Sequence, residues 1–522
     1  MFLLFMNGMQ ETGNNPEGAG REGGGESRSA YGHIVKYTGF LGLVQMLTML
    51  VGVARNKLAA VLLGTAGVGL SSLYWNVVNF VNSASNLGIS FSSVKEVSEC
   101  YGRGIPEHVA RQVEIVRTWS VWTGVGGMLL CLLCSPAISF LAFSDWSHTL
   151  PVCLLSPVVA FMSVTAGEVA ILKAVRRLER VALVSVLGAV VTLLLTVPFY
   201  YAWGIRGIVP GLLASTLGVM VAHLSLSLPV FPWRVSLRSR AHFRAGWSLV
   251  RVGAPYILAT LVNMGVGLGL SIFIAQAGSL SDVGLYGMGY NLVFTYAGVV
   301  FAAVDADYFP RLSAVHHDAR EMNLAINRQV KVCVLLMAPF VVAFMLAMPL
   351  VVRLLYSSAF LPMTGMAVCA SVHLFFKSMT LPAAYVSLAK GDALTYLCME
   401  VAYDVFMAAC VVAGYLFGGI LGTGVALAVA GMFDWWMIYA VYGRRYGLSP
   451  DRSARPFMAW QFVLVMAALA LALTGEVWLK ALAGGGVLCL SVLLSLGAFR
   501  RETQLFSDLK RRWGGRLPLG RK

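Results

Sequence analysis

Charge is scarce in this sequence. Asp, Glu, Lys and Arg make up 12% of 522 residues, about half of the roughly 25% carried by an ordinary soluble chain. Two or three soluble domains of that combined length could not cover their surfaces with so little polar material, so soluble, disordered and collagen-like classes are excluded. The patterns of soluble chemistry are missing as well. There is no P-loop, no HExxH, and no Ser/His/Asp set with an extramembrane domain to hold it, which excludes ATP-driven transport by this chain alone. Gly265, Gly267 and Gly269 form a GxGxG, but within an apolar stretch, where close helix packing accounts for it. The opening MFLLFMNGM lacks a basic n-region and is too short for a secretory signal. Cys131 and Cys134 form a CxxC with no second CxxC or His pair beside it. They and the other seven cysteines read as small thiols between helices, and no metal or cofactor is expected.

What is present is apolar: 58% hydrophobic residues and a mean hydropathy of +0.75. A membrane-spanning helix needs about 20 mostly apolar residues. That window predicts an all-α polytopic membrane protein with fourteen spans. Six lie at 36–54, 70–93, 118–142, 150–171, 182–202 and 207–229, and six more at 252–275, 283–304, 329–351, 362–387, 393–415 and 420–442. A further pair occupies 457–475 and 478–498. The expected organisation is a Gly/Glu-rich disordered tail over 1–33, a six-helix lobe over 34–230 and a basic linker over 231–251. A second lobe over 252–443, accessory helices over 456–498 and a basic tail over 499–522 complete it. With the N-terminus inside, 33 of the 39 Lys and Arg fall on the cytosolic side, five fall outside, and Lys377 lies in a span. The positive-inside rule thus gives an N-in, C-in chain. The net charge of +15 needs no nucleic acid, and membrane lipid suffices for the basic tail.

A shift of 215 residues aligns the halves. Lys36 meets Arg251; Val68, Gly69, Leu70 and Asn76 meet Val283, Gly284, Leu285 and Asn291; Gly204, Ile205 and Gly207 meet Gly419, Ile420 and Gly422. Six spans separate each pair, so the two lobes insert in the same orientation. Such parallel repeats place a substrate path between lobes, unless the duplication persists for packing alone.

Polar residues inside the spans mark candidate sites. Asn76, Asn79, Ser83, Asn86 and Ser90 recur at spacings of three and four, one face of a helix, either packing glue or the lining of a polar cavity. Tyr256, Thr260 and Asn263 repeat the idea in the seventh span, Tyr290 and Asn291 in the eighth; amides and aromatic faces suit a glycan. Lys377 lies thirteen residues before Lys390 and Asp404 fourteen after it, so the two sit at matching depth, where an ion pair would relieve desolvation. His373 and Glu400 lie one turn from them, and Asp434 is in mid-span. The pair is either static or a substrate anchor with Glu400, Asp404 and Asp434 as ion-coupling carboxylates. Glu168, near the cytosolic end of the fourth span, reads as interfacial. Arg55 and Lys57 stand on the side poor in positive charge, either snorkelling to headgroups or drawing a diphosphate into the cavity.

The stretches ARNKLAAVLLGTAGVGL (54–70) and NLGISFSSVKEVSE (86–99) resemble O-antigen and polysaccharide flippases of the multidrug/oligosaccharidyl-lipid/polysaccharide exporter (MOP) superfamily. So does VGLYGMGYNLVFTYAGVVFAAVDADYFPRLSAV (283–315), with Tyr308, Pro310, Arg311 and Ser313. The resemblance covers most of the first twelve spans, while the extra pair is similar to that of lipid II flippases. It implies a V-shaped pair of lobes, alternating access, and an undecaprenyl-diphosphate-linked oligosaccharide as substrate in the cytoplasmic membrane. It further implies a polysaccharide polymerase and glycosyltransferases as partners, no enzymatic activity of its own, and a cavity cation at Arg55 and more loosely at Lys377. A multidrug cation antiporter of the same superfamily and an integral-membrane glycosyltransferase or polymerase are the alternatives. The antiporter expects carboxylates deep in spans 1 and 2, and the enzyme expects a long external loop; the sequence has neither.

Overall fold

The computed structural model describes residues 26–295, 311–315, 317–452, 454–474 and 477–502, with Gly298, Phe301 and Tyr308 between the first two stretches. Among these the secondary structure is helical, without a strand. Helix α1 (Glu26–Asn86) is two helices joined at Gly64. It is followed by α2 (Ile89–Gly102), α3 (Pro106–Phe143), α4 (Thr149–Ala174), α5 (Leu178–Trp203) and α6 (Ile208–Ser227). The second half begins with α7 (Arg240–Ala277) and α8 (Leu280–Tyr290), the latter extended by a π-helical turn, Asn291–Thr295. Then come α9 (Ala319–Leu355), α10 (Thr364–Ala389) and α11 (Ala393–Tyr446), the last broken at Gly418 and Gly419. Helices α12 (Arg455–Leu473) and α13 (Val477–Glu502) pack on each other and against α9.

Three of the apolar stretches are too long for one crossing: Leu43–Asn86, Leu178–Ser227 and Leu394–Tyr446 run 44, 50 and 53 residues. Each turns back at a glycine, Gly64, Gly204 or Gly419, with φ of 66°, 53° and 55° and ψ of −172°, −129° and −142°. A β-carbon is essentially excluded from that region of backbone space. With these breaks the described residues form fifteen helical segments in the predicted order, the short α2 continuing the span that the second half of α1 begins. Large apolar side chains face outward, Phe417 being 92% and Leu482 78% exposed, while buried Ser and Thr recur between helices. That is the packing of helices that associate in lipid.

The 215-residue repeat is written into the backbone. Gly204 and Gly419 are mates and share a conformation. Gly207 and Gly422 are mates, and a β-carbon on them would lie 2.1 Å from the Phe199 carbonyl oxygen and 1.9 Å from that of Gly414, themselves mates. The lobes meet at a third pair. A β-carbon on Gly69 would lie 1.8 Å from the Leu280 carbonyl oxygen, and one on Gly284 would lie 2.2 Å from that of Thr65. Thr65 and Leu280 are again 215 apart. The second half of α1 and α8 therefore cross backbone to backbone about a local two-fold axis, and the Ser281 and Thr65 hydroxyls bond across it at 2.7 Å.

Two expectations are corrected. The polar face from Asn76 to Ser90 is not continuous: the helix ends at Asn86, and Leu87 and Gly88 turn left-handed (φ 53° and 76°). Asn86 Oδ1 accepts from the Ser90 amide at 3.3 Å and so bridges the break. Glu168 is not interfacial but 1% exposed, because Arg117 turns inward to meet it. The guanidinium donates to both carboxylate oxygens at 2.7 and 3.0 Å, to Ser227 Oγ at 3.2 Å, and to the Phe231 and Pro232 carbonyls at 3.1 and 2.7 Å. A desolvated ion pair is tolerated when its remaining hydrogen bonds are met in this way. The clasp ties the start of the basic linker to α3, α4 and α6.

Candidate functional site

Two cavities of different character lie inside the two lobes. The first, about 550 Å³, opens among α1, α4, α5 and α6 of the first lobe, with Met288 of α8 at its edge, a volume within the usual range for small-ligand sites (about 300–1,000 Å³). Arg55 lies at the end of the bundle that carries the glycine turns, and Asn82 lies deeper. Seven Ser and Thr residues, Tyr200 and Trp75 line the wall between them, and no carboxylate does. Arg55 itself touches Asn56 Oδ1 at 3.2 Å.

The predicted face of α1 is the seam between lobes rather than this wall. Asn76 donates to Ser271 Oγ of α7 at 3.1 Å, and Ser83 contacts Met264 Sδ at 3.0 Å. Asn79 turns back to the Trp75 carbonyl of its own helix at 2.8 Å. The cavity is reached from the neighbouring positions Ser71, Ser72, Trp75 and Asn82. Periodicity defined a polar face but not its neighbour. Lys57 is also committed elsewhere: its Nζ donates to the Leu354 carbonyl at 2.7 Å, capping the end of α9 in the other lobe. Gln276 makes a similar tie to the Leu141 carbonyl at 2.7 Å. The hydroxyls of α5 and α6 were missed, although Thr192 and Thr196 stand one turn apart in an otherwise aliphatic span.

The second cavity is about 20 Å³, room for one water or a bare ion. Lys377 of α10 lines it with Glu400 and Asp434 of α11, under the rings of Tyr396, Tyr403 and Tyr442. Asp404 points the other way and accepts from Asn263 Nδ2 of α7 at 3.2 and 3.3 Å. The expected pairing is thus divided. Glu400 and Asp404 are a turn apart on α11; Lys377 shares the first one's cavity and Asn263 holds the second, with no Lys377–Asp404 ion pair among the described residues. His373 Nδ1 bonds the Leu427 carbonyl at 3.0 Å, behind the cluster. Asn291 opens the π-helical turn after α8. The Tyr256 side chain lies outside the described residues.

Comparison with known proteins bears on this geometry. The family model described as polysaccharide biosynthesis protein matches residues 58–365. No curated protein sequence matches. Among solved structures, an inward-facing multidrug resistance MATE family transporter of the MOP superfamily superposes with a TM-score of 0.65 at 16% identity, covering 77% of this chain and 94% of that one. The lipid II flippase MurJ, in an inward closed conformation, gives 0.65 at 13% identity, covering 88% and 99%. A MOP superfamily transporter from Pyrococcus furiosus gives 0.55 at 17% identity, covering 78% and 95%. At such identities the likeness is one of fold: two six-helix lobes, with α12 and α13 added.

Proposed function

Because the chain belongs to the polysaccharide biosynthesis protein family, we propose that it is a flippase carrying an undecaprenyl-diphosphate-linked oligosaccharide from the inner to the outer leaflet of the cytoplasmic membrane. The first-lobe cavity carries this reading, since it combines one guanidinium with a neutral polar wall inside a lipid-facing bundle. A diphosphate calls for a fixed cation, a glycan for hydroxyls and amides, and a polyprenyl tail only for the lipid outside. The positive-inside rule puts the glycine turns at the outer surface. The Gly69–Gly284 crossing then closes the outer end, and Lys57 and Gln276 are ties that release when the lobes rock. The Lys377, Glu400 and Asp434 cluster, with Asp404 beside it, takes up a proton or sodium and shifts the populations of the two states.

Deletion of the gene tests the reading: surface glycan is lost and lipid-linked repeat units accumulate in the inner leaflet. Unchanged glycan with new dye sensitivity would favour a cation antiporter, which the buried carboxylates of the second lobe also suit. Arg55→Ala and Lys377→Ala each impair export while the protein still inserts. Export at the wild-type rate by the Lys377→Ala, Asp404→Ala double variant would remove the coupling role from that pair.

A further inference from the structure

We propose that the glycan of the lipid-linked substrate is held inside the first lobe, in the hydroxyl-walled cavity between α1, α4, α5 and α6, with its diphosphate at Arg55, and not in the seam between the lobes. This rests on the flippase reading and adds to it a subsite and a polarity.

The threonine hydroxyls of this wall have already committed their protons. Thr192, Thr196 and Thr216 donate at 2.7 Å to the carbonyls of Gly188, Thr192 and Leu212, all within their own helices. Thr165 donates likewise to the Phe161 carbonyl at 2.7 Å. With its proton so committed, each hydroxyl offers the cavity its lone pairs. Asn82 lines the deeper end of the space, although its Oδ1 is itself buried out of reach of the cavity. The wall is therefore a field of acceptors, and its complement is a ligand rich in O–H and N–H donors. Trp75 supplies the flat apolar surface on which a pyranose ring packs. No carboxylate lines the space, and Arg55 is its one permanent charge. A glycan ending in a phosphate matches that pattern; an organic cation does not.

The fold does not require this wall. At the positions 215 residues on, Thr192, Thr196, Ser215 and Thr216 are replaced by Met407, Val411, Ala430 and Gly431. Met407, Val411 and Ala430 are buried in the core of the second lobe, and the cavity of about 20 Å³ there is lined by other residues. The hydroxyls are thus a property of one lobe and not of the helix packing that both share. The seam is a poorer host, because Asn76 and Ser83 already bond to Ser271 and Met264 across it.

The test uses the full-length protein in cells fed a tritiated sugar of the native glycan. A photocrosslinking p-benzoylphenylalanine replaces either Met162, on the cavity wall, or Met264, in the seam. Sugar-labelled lipid should attach to the protein at position 162 and not at 264. Adding Thr196→Val and Thr216→Val, which keep side-chain shape, should lower the yield at 162 about tenfold, the effect of losing two hydrogen bonds, with membrane levels of the protein unchanged. Label at 264 alone, or a yield at 162 indifferent to the two valines, would overturn the subsite and leave the flippase reading standing. No label at either position, in cells whose surface glycan survives deletion of the gene, would overturn both.

Discussion

The two lobes share a backbone and differ in what they enclose. Every ionisable member of the second-lobe cluster has an uncharged mate in the first: Lys377 answers to Met162, Asp434 to Val219, Asp404 to Ala189 and Glu400 to Ser185. The first lobe has a buried charge pair of its own, Arg117–Glu168, whose mates are Val332 and Ala383. That pair lies away from the cavity and clasps the linker. What the duplication kept is Gly204 with Gly419, where φ is positive, and Gly69 and Gly207 with Gly284 and Gly422, where a β-carbon would meet a carbonyl; the turn at Gly64 is not kept, its mate being Ser279. The interiors, free of that constraint, diverged. On the proposed reading, the buried Arg117–Glu168 pair of the first lobe is structural, Arg55 of its cavity binds substrate, and the buried charge of the second lobe serves ion coupling.

The sharpest way to break that contrast is to remove one charge from each lobe. Glu168→Ala leaves Arg117 buried at 1% exposure without its partner, a change that typically destabilises by about 3–5 kcal/mol. The expected outcome is protein that accumulates poorly and has a markedly lower Tm in detergent. Asp434→Asn should leave Tm close to wild type and abolish or strongly reduce export. If Asp434→Asn proves as destabilising as Glu168→Ala, the second-lobe cluster is part of the packing and the contrast fails.

A second test bears on the symmetry. Gly69→Ala and Gly284→Ala each drive a methyl into a carbonyl of the opposing helix, at 1.8 and 2.2 Å. Because the two contacts are related by the repeat, the losses should be similar, each of about 1–3 kcal/mol as for overpacking elsewhere. Export in cells and Tm of the purified proteins measure them. A large effect from one glycine and none from its mate would mean that the crossing is not two-fold.

These particulars mark what the sequence made legible. The fourteen spans, the offset of 215 and the importance of Gly69, Gly204 and Gly207 with their mates were readable, because span length and backbone sterics are local. The side of α1 that meets the cavity was not, since a three-and-four spacing defines a face without saying what lies against it. Arg117 and Glu168 are 51 residues apart, and nothing local distinguishes them from the surface charges around them. Lys57 stood out in the sequence by its placement, but its partner is a backbone carbonyl, which no side-chain pattern announces. The cavity hydroxyls were legible in principle as Thr192 and Thr196, yet single hydroxyls bonded to their own helix are common in spans.

The smallest expected effect concerns one pair of mates at the basic end of the bundle. Arg176 and Gly391 both turn left-handed (φ 58° and 71°), and Arg177 and Asp392 then cap α5 and α11. Arg177 makes no side-chain cap, whereas Asp392 accepts from the Thr395 amide at 3.2 Å, Tyr446 Oη at 2.8 Å and Arg445 Nε at 2.9 Å. Those donors, Tyr446 first, hold the Asp392 carboxyl well below the usual carboxylate range. A carboxylate depressed in the folded state contributes stability at any pH above its unfolded value of about 3.9, and the contribution disappears as pH falls through the lower folded value. Asp392→Asn should therefore lower Tm slightly and by the same amount throughout pH 5 to 8, and the two proteins should converge in acid. Arg177→Ala should change Tm at neither pH. A difference between wild type and Asp392→Asn that does not shrink as pH falls from 4 to 2 would show that shape, not charge, sets the cap, and would remove this last asymmetry between the lobes.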